Sequence, residues 1–459
     1  MSIRGLDVAL QALSAQQQAI DVLNHNIANA NTPGYSRQRI NLLASPPYTV
    51  PTFADGQSKS QVGNGVQVGS IERLRDSFLD AQVRAETRSL GQAQVEQQTF
   101  DRLQAIFQEP STTGLAARLN QFWASWQDLS ATPGDRPARA TLIQQTLGLT
   151  GLINQSYSRL VALRSDVAQL AALKVADINS ATAQIAVLNG QIQQAQLNGA
   201  RANDLLDRRD ALLDNLATKL KFSTVVNGDD TVSLFAGGQE MVNRTNARTL
   251  ATSTDSGGDL HVHWGDTGTD LNPGGGELQG AMDAANTLIP NQLAALDTLA
   301  LQLRDEVNAI HTTGFDLSGN SGGDFFTGAG ARDITVSGSI QADPGALAAA
   351  GQPSAPGDGS VALAIAQLQH DGAIDDGYRQ LIASLGIAAR SNDDTVTNQR
   401  TLVDSLQQRR DAVSGVSLDE EAANLVKYQR AYQAAARVIT ATDEMLNTLI
   451  NATGIVGRS

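Results

Sequence analysis

The chain has 459 residues, of which 41% are hydrophobic and only 4% aromatic, a composition that favours long helices with Leu and Ala seams over one large rounded core. A net charge of -14 argues against nonspecific nucleic-acid binding, and the lack of cysteine excludes disulfide frameworks and thiolate metal sites. No stretch approaches about 18 consecutive apolar residues, so we expect no membrane span.

The N-terminal segment predicts one amphipathic helix over residues 2–30. Apolar and amide residues recur there by alternating threes and fours, at Ile3, Leu6, Leu10, Leu13, Gln17, Ile20, Asn24 and Ile27. This spacing is typical of a coiled-coil seam. The segment has neither a continuous apolar core nor a small-residue cleavage site, so we expect no cleaved secretory signal.

An asparagine-rich turn is predicted where this helix ends. Pro33 cannot continue a helix, and Pro33-Gly34 fits the two central positions of a type II turn. The residues around them are Asn29, Asn31, Thr32 and Tyr35. A buried amide needs a partner, which makes a seam weaker but more specific. We therefore interpret this cluster as a contact between chains; a frayed, solvated helix end is the alternative.

Hydrophobic periodicity and turn residues divide the chain into alternating helical and strand-rich regions. We predict an axial helix and turn (1–40), an irregular connector with a possible hairpin between Val62 and Ile71 (41–74), a helical core (75–222, 271–315 and 361–414), a β-rich insert (223–270), a glycine-rich segment with a short strand (316–360) and a C-terminal coiled-coil helix (415–459). Asn198-Gly199 should break the first core tract, and Asn203 should cap the helix after it. The core helices should pack antiparallel.

The last helix has the clearest pattern. Its heptad seam is predicted at Leu418, Leu425, Tyr428, Tyr432, Ala435, Ile439, Thr442, Leu446 and Leu449. Ser417 and Glu420 have the spacing of a capping box. Because both terminal seams contain polar or small residues, we expect these helices to be too weak to pair tightly alone and to order on assembly. The predicted fold is mainly α with inserted β: long terminal coiled-coil helices, a helical-bundle core domain and a small outward β-rich domain.

Two clusters in the middle of the chain have residue types that bind metals. His261 and His263 would share one face of a strand, but solvent-facing residues are the preferred interpretation. Asp316, Ser318 and Asn320 have the spacing of a calcium loop without its glycine and glutamate, so an ordinary turn is preferred.

Two further motifs have structural interpretations. Asp204 and Arg208, four positions apart, predict a modest surface pair on a helix. The glycine-rich stretch at 274–280 lacks the Lys-Ser/Thr of a phosphate loop and predicts a loop and a helix start. We therefore assign no catalytic residue, no cofactor and no metal ligand.

Several stretches resemble one group of proteins. "IANANTPGYSRQ" (27–38) resembles the signature of flagellar axial proteins, which include rod, hook and hook-associated proteins. The C-terminal stretch 414–451, with "ANDLLDRRDALLDNLA", "GGGELQGAMDAAN" and "LRDEVNAIHTTGFDLSGNSGGDFF", is similar to the hook-associated protein 1 family. Residues 224–269 and 331–359 add nothing to this resemblance.

The resemblance implies a structural role at the hook–filament junction, outside the cell. It also implies export in an unfolded state by the flagellar type III system, and packing of terminal helices into an axial tube. The implied partners are other copies of the chain, hook protein, the second junction protein (hook-associated protein 3) and an export chaperone at the C-terminal helix. Another axial protein, of hook or rod, is one alternative; a secreted metal-dependent enzyme or adhesin is the other.

Overall fold

The protein is described by a computed structural model that covers residues 4–47, 63–370 and 372–452. Its α-helices are α1 (Arg4–Ala28), α2 (Ser77–Phe107), α3 (Leu115–Ala131), α4 (Arg136–Leu197), α5 (Asn203–Lys219), α6 (Gly276–Asp283), α7 (Ile289–His311), α8 (Gly338–Ala342), α9 (Ser360–Gln367), α10 (Ala373–Ser414) and α11 (Leu418–Ala452). Its strands are β1 (Gln38–Ala44), β2 (Val66–Arg73), β3 (Ser223–Val226), β4 (Val232–Ala236), β5 (Gln239–Asn243), β6 (Asn246–Ala247), β7 (Leu250–Thr254), β8 (Leu260–Trp264), β9 (Phe326–Thr327) and β10 (Thr335–Val336). The predicted fold class, mainly α with inserted β, is confirmed.

The helical body is built around long antiparallel helices. Asn392 of α10 donates to the carbonyl of Ala93 on α2, and Tyr378 donates to Glu109 just beyond the end of α2. The partner numbers run in opposite directions, so these two helices are antiparallel. Helices α3 and α4 form a second antiparallel pair across the Thr132–Asp135 turn. The core they enclose is apolar, with large buried aromatic side chains at Phe122, Trp123, Trp126, Phe325 and Phe326.

The predicted break between α4 and α5 is present, but the predicted cap is not. Gly199 has φ +74, the left-handed conformation that glycine adopts without strain after a helix end. Ala202, not Asn203, occupies the N-cap position of α5. The side chain of Asn203 instead donates to Gln38 Oε1 and to the carbonyl of Ile71, both 3.1 Å away. Its amide therefore connects α5 to the N-terminal connector.

The predicted hairpin between Val62 and Ile71 is wrong. Strand β2 pairs antiparallel with β1, with Gln38 opposite Arg73 and Ala44 opposite Val66. Pairing with this distant strand gives a ladder along the full length of β2, whereas a tight turn at Asn64-Gly65 would leave most of it unpaired. Val62 itself lies outside the described residues. We call the β1–β2 unit the ribbon.

The β-rich insert contains two small antiparallel sheets, with strand orders β3-β4-β5-β6 and β7-β8. A π turn (Ala284–Leu288) between α6 and α7 ties the second sheet to the body. Asn286 in that turn bonds both the N–H and the carbonyl of Leu260. Arg164 of α4 donates to the carbonyl of Ala285 and to Asp259. The interruption of the helix therefore supplies the groups that hold the β7–β8 hairpin.

The two terminal helices lie against each other within one chain. Helix α1 packs along α11 and also contacts the ribbon. The expectation that these helices are too weak to pair alone is therefore not met in this structure. Among the described residues, every helix is too short or too polar to cross a membrane. We call α1 and α11 the terminal pair.

Candidate assembly interface

The turn after α1 has the predicted geometry. Gly34 has φ +79, and the N–H of Tyr35 donates to the carbonyl of Thr32 at 3.1 Å, as in a type II turn with Pro33 and Gly34 at its centre. Asn29 ends the helix, since its side-chain amide donates to the carbonyl of His25 and its oxygen accepts from Thr32. A Cβ on Gly34 would lie 3.4 Å from Ala211 of α5, so the turn rests on that helix.

Asn26 is the fully buried amide at the centre of this region. Its Oδ1 accepts from the Tyr35 hydroxyl at 2.7 Å and from the Gln38 N–H at 2.9 Å. Its Nδ2 donates to the Gln38 carbonyl at 2.8 Å and to Glu421 Oε2 at 2.9 Å. All four hydrogen-bonding positions of the amide are thereby used, which removes the desolvation penalty of an unpaired buried amide. Asn26 lies outside the predicted seam.

Arg37 links the connector to both C-terminal helices. Its N–H donates to the carbonyl of Ser414 at the end of α10. Its guanidinium lies 2.7 Å from Glu421 and 2.6 Å from Glu420, both in the first turn of α11. Glu421 is fully buried, whereas the side chain of Glu420 is 62% exposed. The capping box predicted at Ser417 is only partly seen, because Glu420 N–H approaches Ser417 Oγ at 3.5 Å while the Glu420 side chain turns to Arg37.

Helix α5 presents a row of carboxylates to the connector and to α2. The row is Asp204, Asp207, Asp210 and Asp214, which lie three or four positions apart and so share one helix face. Asp207 accepts from the N–H of Ser36 at 3.0 Å and from Arg73 at 2.8 Å. Asp204 lies 3.1 Å from Gln38 Nε2 and 3.3 Å from His25.

The far end of this row is half-buried and surrounded by arginines. Asp210 pairs with Arg73 at 2.8 Å and with Arg75 at 3.1 Å. Asp214 pairs with Arg84 at 2.7 Å and with Arg410 of α10 at 2.8 Å. The sequence analysis treated this segment as a surface pair, Asp204 with Arg208. The signal that would have identified the row was its carboxylate spacing, read together with arginines far away in the sequence.

Burial and charge in this region shift the pKa values of Asp210 and Tyr35. Burial would raise the pKa of Asp210, but the nearby Arg75 and Arg73 outweigh burial and hold that pKa below its usual value. Burial, followed by the negative charges of Asp204 and Asp207, raises the pKa of the Tyr35 hydroxyl. The phenol therefore stays protonated and continues to donate to Asn26.

The predicted α1 seam is not the most buried stripe of the helix. The side chains most buried along α1 are Ala9, Ala15, Ala19, Val22, Leu23 and Asn26. Positions 15, 19, 22 and 26 follow the predicted seam at a distance of two residues, a rotation of about 200° on an α-helix. The connector covers part of this stripe, because Gln11 Oε1 accepts from the Ser45 hydroxyl at 3.0 Å and Val8 lies next to Gly65.

The predicted seam residues of α1 lie on the remaining surface. Leu10, Gln17 and Asn24 are exposed, with Leu10 58% accessible, and Leu6, Leu13, Ile20 and Ile27 are half-buried. In the turn, Asn31, Thr32, Pro33 and Gly34 are exposed, and Asn29 and Tyr35 are half-buried. The predicted seam residues of α1 and its turn are therefore partly exposed, with Leu10, Gln17, Asn24 and residues 31–34 the most accessible. Ile3 lies outside the described residues.

The predicted α11 seam has the burial of a face directed at α1. Ala435 is buried, and Leu425, Tyr428, Tyr432, Ile439, Thr442 and Leu446 are half-buried. Leu418 is exposed, because the first turn of α11 contacts Arg37 and Asn26 through Glu421 rather than through Leu418. The side chain of Leu449 lies outside the described residues. Val438 and Met445, beside this seam, remain exposed.

The residues whose types could bind a metal contact nearby protein groups in this structure. His261 lies on the outer face of the β7–β8 hairpin, 3.7 Å from Asp255 and 3.5 Å from Asp270, contacts made by opposite ring nitrogens. Asp316 accepts from the backbone N–H groups of Ser318 and Asn320, which confirms the predicted turn. Within the described residues, no group of three or more His, Asp or Glu is arranged to hold a metal ion.

Family models match three parts of the chain. The model of the flagellar hook-associated protein FlgK helical domain matches residues 100–326. The model of the flagella basal body rod protein matches residues 6–35, and that of the flagellar basal body rod FlgEFG protein C-terminal region matches residues 407–452. Both ends of the chain are thus also similar to rod proteins. The match to residues 100–326 distinguishes the hook-associated family from the rod proteins.

Relatives that align with nearly the whole chain belong to the same family as the model that matches its middle. The chain is 31% identical over 507 residues to flagellar hook-associated protein 1 of Bacillus subtilis, covering 99% of each chain. It is 26% identical to flagellar hook-associated protein 1 of Salmonella typhimurium, covering 96% of this chain and 98% of that protein. A solved structure of the flagellar hook junction protein FlgK from Burkholderia pseudomallei overlaps 54% of this chain and 46% of that chain, with a TM-score of 0.49 and 26% identity.

Proposed function

This chain belongs to the flagellar hook-associated protein 1 family, and we propose that it joins the hook to the filament through the outward side of its terminal pair. Members of this family are structural components of the flagellum. We propose that the interface consists of the predicted seam residues of α1, the residues of the turn after α1, and the exposed side chains of α11 beside its own seam.

The observation that carries this proposal is the second apolar stripe of α1. A helix that packs against one partner needs one apolar stripe, and its other sides are normally polar. Helix α1 already buries Ala15, Ala19 and Val22 within its own chain. Leu10 nevertheless stays exposed, flanked by Leu6 and Leu13. A leucine stripe opposite an occupied face is suited to a second helix, which in a ring of subunits comes from a neighbouring copy.

The partners implied by the family fit this arrangement. We propose that other copies of the chain, hook protein and hook-associated protein 3 contact the axial part, and that an export chaperone binds α11 before assembly. The apolar side of α11, with Ala431, Val438 and Met445 beside its seam, would accommodate an apolar surface of a partner. We also propose an extracellular location, reached unfolded through the flagellar type III system without a cleaved signal peptide.

Replacement of Leu10 by glutamine tests the interface. Leu10→Gln should leave the melting temperature of the purified protein unchanged, because the side chain is already exposed. Cells that lack the gene and produce Leu10→Gln should have hooks without filaments, seen by electron microscopy. They should also release flagellin into the medium, detected by immunoblotting.

Gln18→Ala is the matched control. It changes an exposed residue on the polar flank of the same helix, and it should restore filaments. Normal filaments with Leu10→Gln would show that this stripe is not the interface.

A further inference from the structure

Strand β7 has a free edge over its last residues. The N–H and the carbonyl of Leu250 both bond the side chain of Asn179 on α4, so they point away from β8. Backbone direction alternates along a strand, so the backbone groups of Thr252 and Thr254 point the same way as those of Leu250. These outward groups have no hydrogen-bond partner among the described residues. The edge of β7 is therefore covered by α4 at its start and is open after that.

Strand β3 also has a free edge. The N–H of Asn227 donates to the carbonyl of Thr231 at 2.8 Å, so Asn227 and, two positions earlier, Val225 face β4. Thr224 and Val226 therefore point away from β4, where the part of the chain that the structure describes offers them no partner. Both valines are exposed, Val226 at 66%. Proteins usually protect such an apolar edge with charge, proline or a cover, because it tends to pair with another strand.

A groove of about 490 Å³ lies between the free edge of β7 and helix α4. Its apolar lining residues are Val161, Ala168, Ala172 and Leu260. Thr252 and Thr254 lie on the face of the hairpin turned toward this groove, since Leu260, opposite Thr254, is buried and lines it. A strand added to this edge would therefore direct every second side chain into the groove.

The two free edges fit each other in one antiparallel register. In that register Thr224 lies opposite Thr254. Val226 then lies opposite Thr252, and its side chain enters the groove, because directly opposite residues share a face of the sheet. A shift of two residues one way would place Val226 against Leu250, whose backbone groups already bond α4. A shift the other way would place Thr224 beyond the end of β7.

Charge supports this pairing between two copies of the chain. Lys221, just before β3, is exposed and has no ion-pair partner within the described ranges. Ser223 would lie opposite Asp255, so Lys221 would be the diagonal neighbour of that carboxylate, within reach of a long side chain. The side chain of Asp255 is 47% exposed. Within one chain, β3 and β7 belong to different sheets, so the edge of β7 is left for β3 of a second copy.

We propose that β3 of one copy adds as an antiparallel strand to the free edge of β7 in the next copy, with Val226 in the groove. This contact uses two different surfaces of the molecule, and each copy offers both of them. Such a heterologous contact continues from copy to copy, as a ring of subunits requires. The inference rests on the proposed assembly of copies side by side, but not on the terminal pair as their interface.

Crosslinking between introduced cysteines tests this pairing. The chain contains no cysteine, so the introduced thiols are the only ones. Val225 and Ser253 would form a non-hydrogen-bonded pair, with Cα atoms about 4.5 Å apart, which suits a disulfide. Flagella from cells that produce the chain with both Val225→Cys and Ser253→Cys are oxidised and analysed by non-reducing electrophoresis and immunoblotting. The double variant should give a ladder of dimers and longer species, and each single variant should stay monomeric.

Val225→Cys with Asn243→Cys is the matched control, because Asn243 is also exposed but lies on β5; it should give no ladder. Cells that produce the two single variants together should give dimers and no longer species. Adding Thr224→Pro to the double-cysteine chain should reduce the ladder about tenfold, the effect of one lost hydrogen bond. The free chain should tolerate this proline, because the missing N–H faces outward from an edge strand.

Filaments without crosslinks, an equal ladder from the control pair, or a crosslink with Ser253→Cys alone would overturn the proposal. These results are read on flagella that carry filaments, so they would not contradict the axial interface tested with Leu10→Gln. Hydrogen exchange of the purified wild-type chain needs no variant. The backbone amides of residues 224, 226, 252 and 254 should exchange rapidly, and protection equal to that of β4 would also overturn the proposal, because the edges would then be covered within one chain.

Discussion

The side-chain amide of Asn26 lies 2.9 Å from the carboxylate of Glu421, 395 positions further along the chain. This contact joins the end of the first helix to the beginning of the last, and both residues are fully buried. It explains one of the asparagines that crowd the end of α1: an amide has two donors and two acceptor positions, and Asn26 uses all of them. Leucine at this position could satisfy none of those partners.

Removing the Asn26 amide should loosen both terminal helices. Asn26→Ala leaves Glu421 Oε2 and the backbone groups of Gln38 without their partner, which should cost roughly 2 kcal/mol, or about 30-fold in opening. Hydrogen exchange followed by mass spectrometry should show this loss of protection near the ends of α1 and α11. Asn24→Ala, two positions away and exposed, should change protection by less than about twofold; equal effects of the two variants would contradict the assignment.

The conformation of Gly34 predicts a separation of stability from assembly. Gly34→Ala places a Cβ in the left-handed region, at a cost of about 1 kcal/mol. Gly199→Ala introduces the same strain at φ +74, in the turn between α4 and α5, where a Cβ would meet no atom within 4 Å. Both variants should melt slightly below the wild-type protein. Only Gly34→Ala should reduce filament number in complemented cells, and a similar loss with Gly199→Ala would indicate that lower stability alone is responsible.

The small side chains on the buried stripe of α1 set how closely the rest of the chain packs against this helix. Ala19 is fully buried, so Ala19→Leu should overpack this stripe and destabilise the packing of α1 by about 1–3 kcal/mol. Gln18→Leu adds a leucine to the exposed neighbour and should leave that packing unchanged. Hydrogen exchange of the backbone amides in residues 15–26 measures this loss of stability. Unchanged protection in Ala19→Leu would mean that α1 packs through a different face.

His311 predicts a pH dependence of stability. It is buried, with Nδ1 bonded to the Gly323 carbonyl at 2.7 Å and Nε2 accepting from the Ala348 N–H at 2.9 Å, which requires the neutral ring. Burial, with Arg139 nearby, lowers its pKa to about 4. The unfolded chain therefore binds a proton more readily, and the stability from this residue is complete above about pH 6.5 and lost as pH falls toward 4.

The variant His311→Asn removes the titrating group and tests this prediction. Between pH 6.5 and 4 the wild-type protein should lose roughly 3 kcal/mol more stability than the variant. Urea unfolding at a series of pH values, followed by the fluorescence of the nearby Trp126, measures the difference. Parallel curves for wild type and His311→Asn would contradict the prediction.

Local patterns were sufficient for much of the fold. The 3.6-residue periodicity, the Pro33-Gly34 turn and the Asn198-Gly199 break each depend on neighbouring residues, and each was predicted correctly. The predicted hairpin at Val62–Ile71 was wrong because β-pairing is not local. An Asn-Gly pair favours a turn, but the strand after it pairs with β1 along its full length. The cap at Asn203 failed for the same reason, since its amide bonds residues far away in the sequence.

By itself, the sequence determined the helices, the type II turn and the family, because backbone preferences and short motifs are properties of consecutive residues. Only the tertiary structure decided which stripe of α1 is buried within the chain. The leucine stripe and the alanine stripe have the same spacing, so periodicity cannot rank them. The alanine stripe is buried because it carries Asn26, whose amide bonds Tyr35, Gln38 and Glu421. The tertiary structure also decided that the carboxylates of α5 hold the connector, because opposite charges pair according to distance in space and not to distance along the chain.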